Sequence, residues 1–140
     1  MVSTPSVAFA ADDENDTTRA VIAYLDSHTE LHMIEGVDWV EMAVAVAAEV
    51  ASGEVDYGVL MCWTGTGTAI AANKVKGVRA AQASDPWIAE NARRWNDANV
   101  LTLSLKQLSP DEAVACVDAF LVVDEPDADE KAQIDRLKSL

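Results

Sequence analysis

The chain predicts an α/β fold: a five-stranded parallel sheet covered by helices on both faces, with an extra helix at the C-terminus. Three observations carry this expectation. Short apolar β-type runs alternate with helical periodicity five times along the chain, as βαβ units require. The run "YGVLMCW" (57–63) is continuously apolar, as befits a strand buried on both faces. The connectors are short and punctuated by Gly, Pro, Asp and Ser. Half of the 140 residues are apolar, which suffices for one domain with a real core, and residues 1–140 are read as that single domain.

The first strand is "SVAFAA" (6–11). An acidic loop follows, and Asn15 or Asp16 caps a helix over "TTRAVIAYLDSH" (17–28). "LHMIEG" (31–36) is a weak second strand. From Asp38, "DWVEMAVAVAAEVASG" carries an apolar helical face at Val40, Ala43, Val44, Ala47 and Val50 and stops at Gly53. The strand at 57–63 leads through a Gly/Thr loop into "TAIAANKVK" (68–76), halted by Gly77. "VRAAQA" (78–83) is the fourth strand. Pro86, directly after Asp85, opens the helix "DPWIAENARRW" (85–95). "NVLTLSL" (99–105) is the fifth strand. Ser109 before Pro110, with acids in the first turn, starts the helix "SPDEAVACVDAFLVV" (109–123). After "DEPDAD" (124–129), residues 130–139 make a last amphipathic helix, within a C-terminal helical segment of about 127–139.

The net charge is −14. Residues 1–60 hold twelve acidic residues against one basic residue, Arg19, and six of the ten Lys/Arg lie between Lys74 and Lys106. Such a field repels nucleic acid and anionic membranes, so neither is an expected partner. It also disfavours a phosphorylated substrate unless local cations offset it. The apolar runs fall well short of the roughly 18 residues of a membrane span. "MVSTPSVAFAADDEND" has no basic n-region, and a cytoplasmic protein is expected. Cys62 and Cys116 lack metal-type spacing, so free thiols are expected, with neither metal nor cofactor.

The segment "GVLMCWTGTGTAIAANKVKGVRAA" (58–81) concentrates the chemistry. Ligands of parallel α/β sheets sit at the carboxyl ends of strands, where this loop and "DDEN" (12–15) both fall. Gly65 and Gly67 allow a tight turn that points the amides of residues 64–68 into one concavity at a helix N-terminus, where anions are favoured. The spacing matches neither "GxGxxG" nor "GxxxxGK[ST]", so a nucleotide cradle is not expected. A thiol just before such amides has its pKa lowered, and its thiolate can take a proton or attack. Otherwise Cys62 is a small packed hydrophobe, and residue types alone leave both readings open.

The same segment, with "ARRWNDANVLTL" (92–103), resembles the family of ribose-5-phosphate isomerase B and the galactose-6-phosphate isomerase subunits. That family reads C-G-[TS]-G-x-G, then I-A-A-N-K, then G-[IV]-R-A, then R-x-H-N-D-A-N-V-L, in this order and at these distances. The resemblance implies a Rossmann-like αβα sandwich. It implies homodimers or dimers of dimers with active sites shared between chains, the C-terminal helix docking on the partner subunit. It also implies a small-molecule sugar substrate and no cofactor. Cys62 falls at the family's base, which moves a proton between C1 and C2 of an open-chain aldose through an enediolate. The amides from Trp63 through Gly65 and Thr66 to Gly67 then form the oxyanion site, with each good donor worth about 3 kcal/mol. Thr64 bonds a substrate hydroxyl or assists proton movement. Asp12, Asn73 and Asn96 fall on family positions suited to sugar hydroxyls. Asp12 is otherwise a helix cap, and Asn73 otherwise a structural bond to the backbone.

The departures from the pattern are systematic. Asp13 follows Asp12 where the family has a histidine. Trp95 replaces the histidine that opens the sugar ring, and indole does not titrate. Trp63 replaces the loop's first glycine. Asp129 and Gln133 stand at the positions of two phosphate-clamping arginines, and Lys106 replaces an arginine after the fifth strand without its bidentate fork. Each lost charge-assisted bond is worth about 1.5–3 kcal/mol. The expectation is an aldose–ketose isomerase with an altered substrate, short, modified or unphosphorylated. Trp39, Trp63 and Trp95 then line its pocket or serve packing instead. The alternative is a non-catalytic member, either a subunit of a hetero-oligomer or a small-polyol binding module. Carboxylates as near as Asp12 and Asp13 are expected to raise the Cys62 pKa, against the amides that lower it.

Overall fold

Four of the helices begin where a short polar side chain bonds back to the third residue of the first turn, satisfying amides that have no intrahelical partner. Asn15 does this for α1 (Asp16–His28), in a capping box completed by Thr18. Asp38 caps α2 (Trp39–Ser52) and Asp85 caps α4 (Pro86–Asn96). Ser109, with Glu112 returning the bond, caps α5 (Pro110–Leu121). The choice between Asn15 and Asp16 is thereby decided for Asn15, whose Nδ2 also donates to the Leu105 carbonyl at 2.8 Å. In this computed structural model, residues 4–36 and 38–140 are described.

Five parallel strands alternate with these helices: β1 (Ser6–Ala11), β2 (Glu30–Met33), β3 (Tyr57–Cys62), β4 (Ala80–Gln82) and β5 (Val100–Ser104). They lie in the order β2-β1-β3-β5-β4. Residues alternate between the two faces. Val7, Phe9, Val59, Met61, Leu101 and Leu103 meet α1, α4 and α5 on one side. Ala8, Ala10, Leu60 and Val100 meet α2 and α3 (Thr66–Ala72) on the other. The result is a Rossmann-like αβα sandwich. Among the described residues no helix is long and apolar enough to cross a membrane.

Several elements differ from expectation. The face of α2 that packs is Met42, Ala43, Val46, Ala47 and Val50, while Val40 and Val44 are exposed. The helix is apolar nearly all round, so its sequence does not select a face. The sheet does: Gly58 of β3 leaves a slot for Val46, whose Cγ1 lies 2.6 Å from where a Cβ on Gly58 would stand. Helix α3 starts at Thr66 and ends at Ala72, short of the expected 68–76. Asn73 terminates it by accepting from the Ala80 amide (2.8 Å) and donating to the Ala80 carbonyl (2.9 Å), in place of a strand neighbour. Strand β4 is three residues and not six. The C-terminal helix expected over about 127–139 forms as a 3₁₀ turn (Ala128–Glu130) and α6 (Lys131–Lys138), which touches α4, buries Ile134 and pairs Lys138 with Asp97 at 2.8 Å.

His32, in β2, lies between Glu49 (3.3 Å) and Glu30 (3.5 Å). The hydrogen bond with Glu49 raises its pKa, against partial desolvation, and Glu30 adds to the rise. A folded-state pKa above the unfolded value of about 6.5 means the pair stabilises fully below that pH. The stabilisation fades as pH rises through the folded value. Urea midpoints measured across neutral pH should fall with rising pH in the wild type relative to His32→Gln, and parallel curves would contradict this.

Candidate active site

The chain leaves β1 toward β2 and leaves β3 toward β4 and β5, so the sheet's direction of winding reverses between β1 and β3. The crevice at the carboxyl ends of those two strands is where ligands bind in such sheets. Asp12 directly follows β1 there, its amide bonded to the Met61 carbonyl at 3.1 Å. Cys62 ends β3, 5% exposed and side by side with Ser104 of β5.

The turn from Cys62 into α3 is built from the neighbouring strands. Gly65 sits at φ +80°, a left-handed conformation, and any Cβ there would stand 3.0 Å from the Leu103 carbonyl carbon. Only glycine permits this approach to β5. Each loop carbonyl is then taken by a side chain: Trp63 by the Ser104 hydroxyl (2.5 Å), Thr64 by Gln82 (2.8 Å) and Gly65 by Thr102 (2.8 Å). With the carbonyls drawn toward the sheet, the amides turn toward the sulfur. The Gly65 N–H donates to Cys62 Sγ at 3.1 Å, and Thr68 Oγ1 lies 3.3 Å from it.

Burial alone would push the Cys62 thiol up. Bonds from the Thr68 hydroxyl and from the Thr68, Gly65 and Thr64 amides outweigh it, and the pKa falls below the ordinary cysteine value. The leading influences on the sulfur are burial and these neutral hydrogen bonds, not the Asp12 and Asp13 carboxylates. Cys116 shows the opposite fate: burial, with Asp85 and Glu112 adding, pushes it up to about 11. Both thiols are free.

Around this centre Asp12 and Asp13 are exposed, and Asn15 has taken the capping role from Asp12. Burial, then the charge of Asp13, raises the Asp12 carboxyl above its usual range. Lys106 is exposed just past β5, beside Leu105, whose amide bonds the Cys62 carbonyl at 3.0 Å. Trp63 is half exposed. Thr64 and Thr66 join their hydroxyls at 2.7 Å. Gly67 is overlain by the Trp39 ring, which a Cβ would meet at 2.9 Å.

Three predicted site residues lie elsewhere in the chain. Asn73 and Asn96 line a cleft of about 700 Å³ at the amino edge of the sheet, with Arg79, Lys138 and Leu140. Trp95 stacks edge-on against Trp87 (5.8 Å) and donates its indole N–H to Asp127 at 3.2 Å. The strands separate this edge from Cys62 by about 15 Å. Within one chain the two groups do not meet. Among the described residues no cluster of His, Cys, Asp and Glu has a metal-binding arrangement.

Thr68, Thr102, Ser104 and Gln82 were not singled out by the sequence reading. A signal for two of them existed: Thr102 and Ser104 are the only polar residues in the run "VLTLSL", and a fully buried strand places polar side chains where they find partners. Thr102→Val leaves the Gly65 carbonyl without its short bond and should cost about 1–3 kcal/mol, read as a lowered urea midpoint. Thr102→Ser, which keeps the donor, should recover most of the loss.

Comparison with known proteins places this arrangement. Residues 7–138 match the Ribose/Galactose Isomerase family. The chain is 39% identical over 106 residues to a ribose-5-P isomerase B of Listeria innocua, covering 76% of this chain and 72% of the relative. Among solved structures it is similar to the ribose-5-phosphate isomerase B of Clostridium thermocellum, with TM-score 0.87, 28% identity, and 96% and 95% of the two chains covered. It is also similar to the Mycoplasma genitalium ribose-5-phosphate isomerase B with bound ribulose-5-phosphate, with TM-score 0.84, 28% identity, and 96% and 94% covered. With its Cys62 turn, its winding reversal at β1 and β3, and a family match over nearly its whole length, the chain belongs to the ribose/galactose isomerase family of sugar-phosphate isomerases.

Proposed function

We propose that the protein is an aldose–ketose isomerase that works through an enediolate, with Cys62 as the base. The observation that carries this is the Cys62 sulfur, held by a backbone amide at 3.1 Å and a hydroxyl at 3.3 Å at the carboxyl end of β3. The thiolate takes the proton from C2 of the open-chain aldose. The C–H electron pair forms the C1=C2 double bond, and the carbonyl π pair moves onto O1. Backbone amides of the Gly/Thr turn between Trp63 and Gly67 would stabilise that developing charge. The O2 proton passes to O1, a transfer supported by the joined Thr64 and Thr66 hydroxyls. The new thiol returns its proton to C1, giving the ketose.

The substrate is a short, modified or unphosphorylated sugar. Two cations, the first near the positions of the missing arginines in the sequence pattern, are engaged: Lys131 pairs with Asp135 at 2.7 Å, and Arg79 bonds Asp97 and two backbone carbonyls. Asp129 and Gln133 are exposed and offer no positive charge. Lys106 remains on the carboxyl edge opposite Asp12 and Asp13, whose carboxylates suit hydroxyls and oppose a phosphate. Asn96 and Trp95 then come from a second copy of the chain, since their own Cys62 lies at the other edge.

Proton exchange decides the chemistry. The protein is incubated in D₂O with phosphorylated and unphosphorylated sugars of three to six carbons and followed by proton NMR, with Cys62→Ser as control. Deuterium should enter C1 or C2 of an unphosphorylated or short sugar and disappear in the variant. Exchange confined to phosphorylated pentoses would refute the substrate reading, and none at all would favour a non-catalytic subunit.

Subunit mixing tests the shared site. Cys62→Ser and Asn96→Ala should each be inactive or nearly so. Refolded together they should regain about a quarter of wild-type activity, because half of randomly formed dimers are mixed and each holds one intact site. No regain would place the whole site within one chain.

A further inference from the structure

We propose that Thr68 is a positioning residue for proton transfer, its hydroxyl exchanging hydrogen-bond partners between the Gly65 carbonyl and the Cys62 sulfur as the sulfur loses and regains its proton. The proposal rests on the reading of Cys62 as base and goes beyond it. Thr68 is fully buried at the start of α3 and lies at a position that the family's motif blocks leave unspecified. Its Oγ1 is 3.3 Å from Cys62 Sγ and 3.5 Å from the Gly65 carbonyl oxygen. It is the side chain that bonds the sulfur; the other donors are backbone amides.

A hydroxyl both donates and accepts, whereas an amide only donates. With Cys62 as thiol, S–H donates to Thr68 Oγ1 and the Thr68 O–H donates to the Gly65 carbonyl. With Cys62 as thiolate, the same O–H turns to the sulfur. Only a hydrogen atom moves. The Gly65 carbonyl is not orphaned by this exchange, because Thr102 donates to it at 2.8 Å throughout. The Gly65 N–H stays on the sulfur in both states. Both protonation states of a base that must accept and return one proton are thereby hydrogen-bonded in a fixed protein frame. Among the described residues, the hydrogen-bond partners of the sulfur are neutral groups. The charged residues flanking the crevice are Asp12 and Asp13 beyond β1 and Lys106 beyond β5.

The test reads the thiol directly. Alkylation of Cys62 by iodoacetamide is followed against pH and located by mass spectrometry, which separates it from the buried Cys116. Thr68→Val keeps the shape and removes the hydroxyl; Thr68→Ser keeps the hydroxyl. In the Val variant the alkylation rate at pH 7 should drop about tenfold, the loss expected for one hydrogen bond to a charged group. The acid limb of the pH profile for deuterium uptake should move upward with it, in whichever of D-ribose and ribose 5-phosphate exchanges, with KM nearly unchanged. Ser should restore both. Thr68→Ala provides the same reading should Val pack poorly. An alkylation profile unchanged in Val and Ala would overturn the proposal. An alkylation profile that shifts while the turnover limb stays fixed would overturn the assignment of Cys62 as base, and the proposal's catalytic role with it.

Discussion

The contact between Gly65 and β5 is the constraint from which the rest of the site follows. Its backbone lies so close to Leu103 that a single carbon more would collide with the strand. From that position its carbonyl accepts from Thr102 and its amide reaches the Cys62 sulfur. The turn would otherwise carry several unpaired backbone groups in a buried corner, each costing about 1–3 kcal/mol. Satisfying the carbonyls from the sheet side leaves the amides no direction but inward. The geometry that closes the fold at this point is thus the geometry that favours a thiolate.

Electrostatics elsewhere in the molecule bear on the same corner. A chain of net charge −14 is a poor setting for a thiolate and for an anionic substrate alike. The donors that lower the sulfur's pKa against burial are local and neutral. Cys116 has no such donors and sits under Asp85 and Glu112, which is why two buried cysteines in one protein titrate so differently. Cations are spent on structure at the opposite edge. Asp97, itself in a left-handed conformation at the end of α4, gathers Arg79, Arg93 and Lys138 around one carboxylate. Arg93 is buried there, between the Tyr57 and Phe120 rings.

A parallel sheet separates its two edges by the length of its strands. Residues after strands collect at one end, and residues at the ends of the following helices collect at the other. Asp12, Cys62, Thr64 and Lys106 belong to the first group; Asn73, Trp95 and Asn96 belong to the second. Motif blocks that lie close in sequence are for this reason far apart in the folded chain. Asn73 has a further role that explains its place at the end of α3, since both ends of its amide are committed to Ala80.

The alternation of elements, the four capped helix starts and the tight Gly/Thr turn after Cys62 were legible in the sequence, because each depends on residues within a few positions of one another. Periodicity, Ser and Asp caps, and paired glycines are local signals. The length of α3 and β4 was not legible, since Asn73 ends the helix through a bond to a residue seven positions on. Nor was the buried face of α2, whose nearly uniform apolar sequence left the choice to the slot at Gly58. The roles of Thr68, Thr102, Ser104 and Gln82 were also hidden. They depend on β3 lying beside β5 and on β5 lying beside β4, pairings between segments as much as forty residues apart. The sequence by itself determined which elements form and which residue types can do chemistry, through short-range hydrogen bonding and periodicity. Only the tertiary structure decided the lowering of the thiol's pKa, because that depends on a turn fixed by side chains of separate strands and on donors from that turn and the helix that follows.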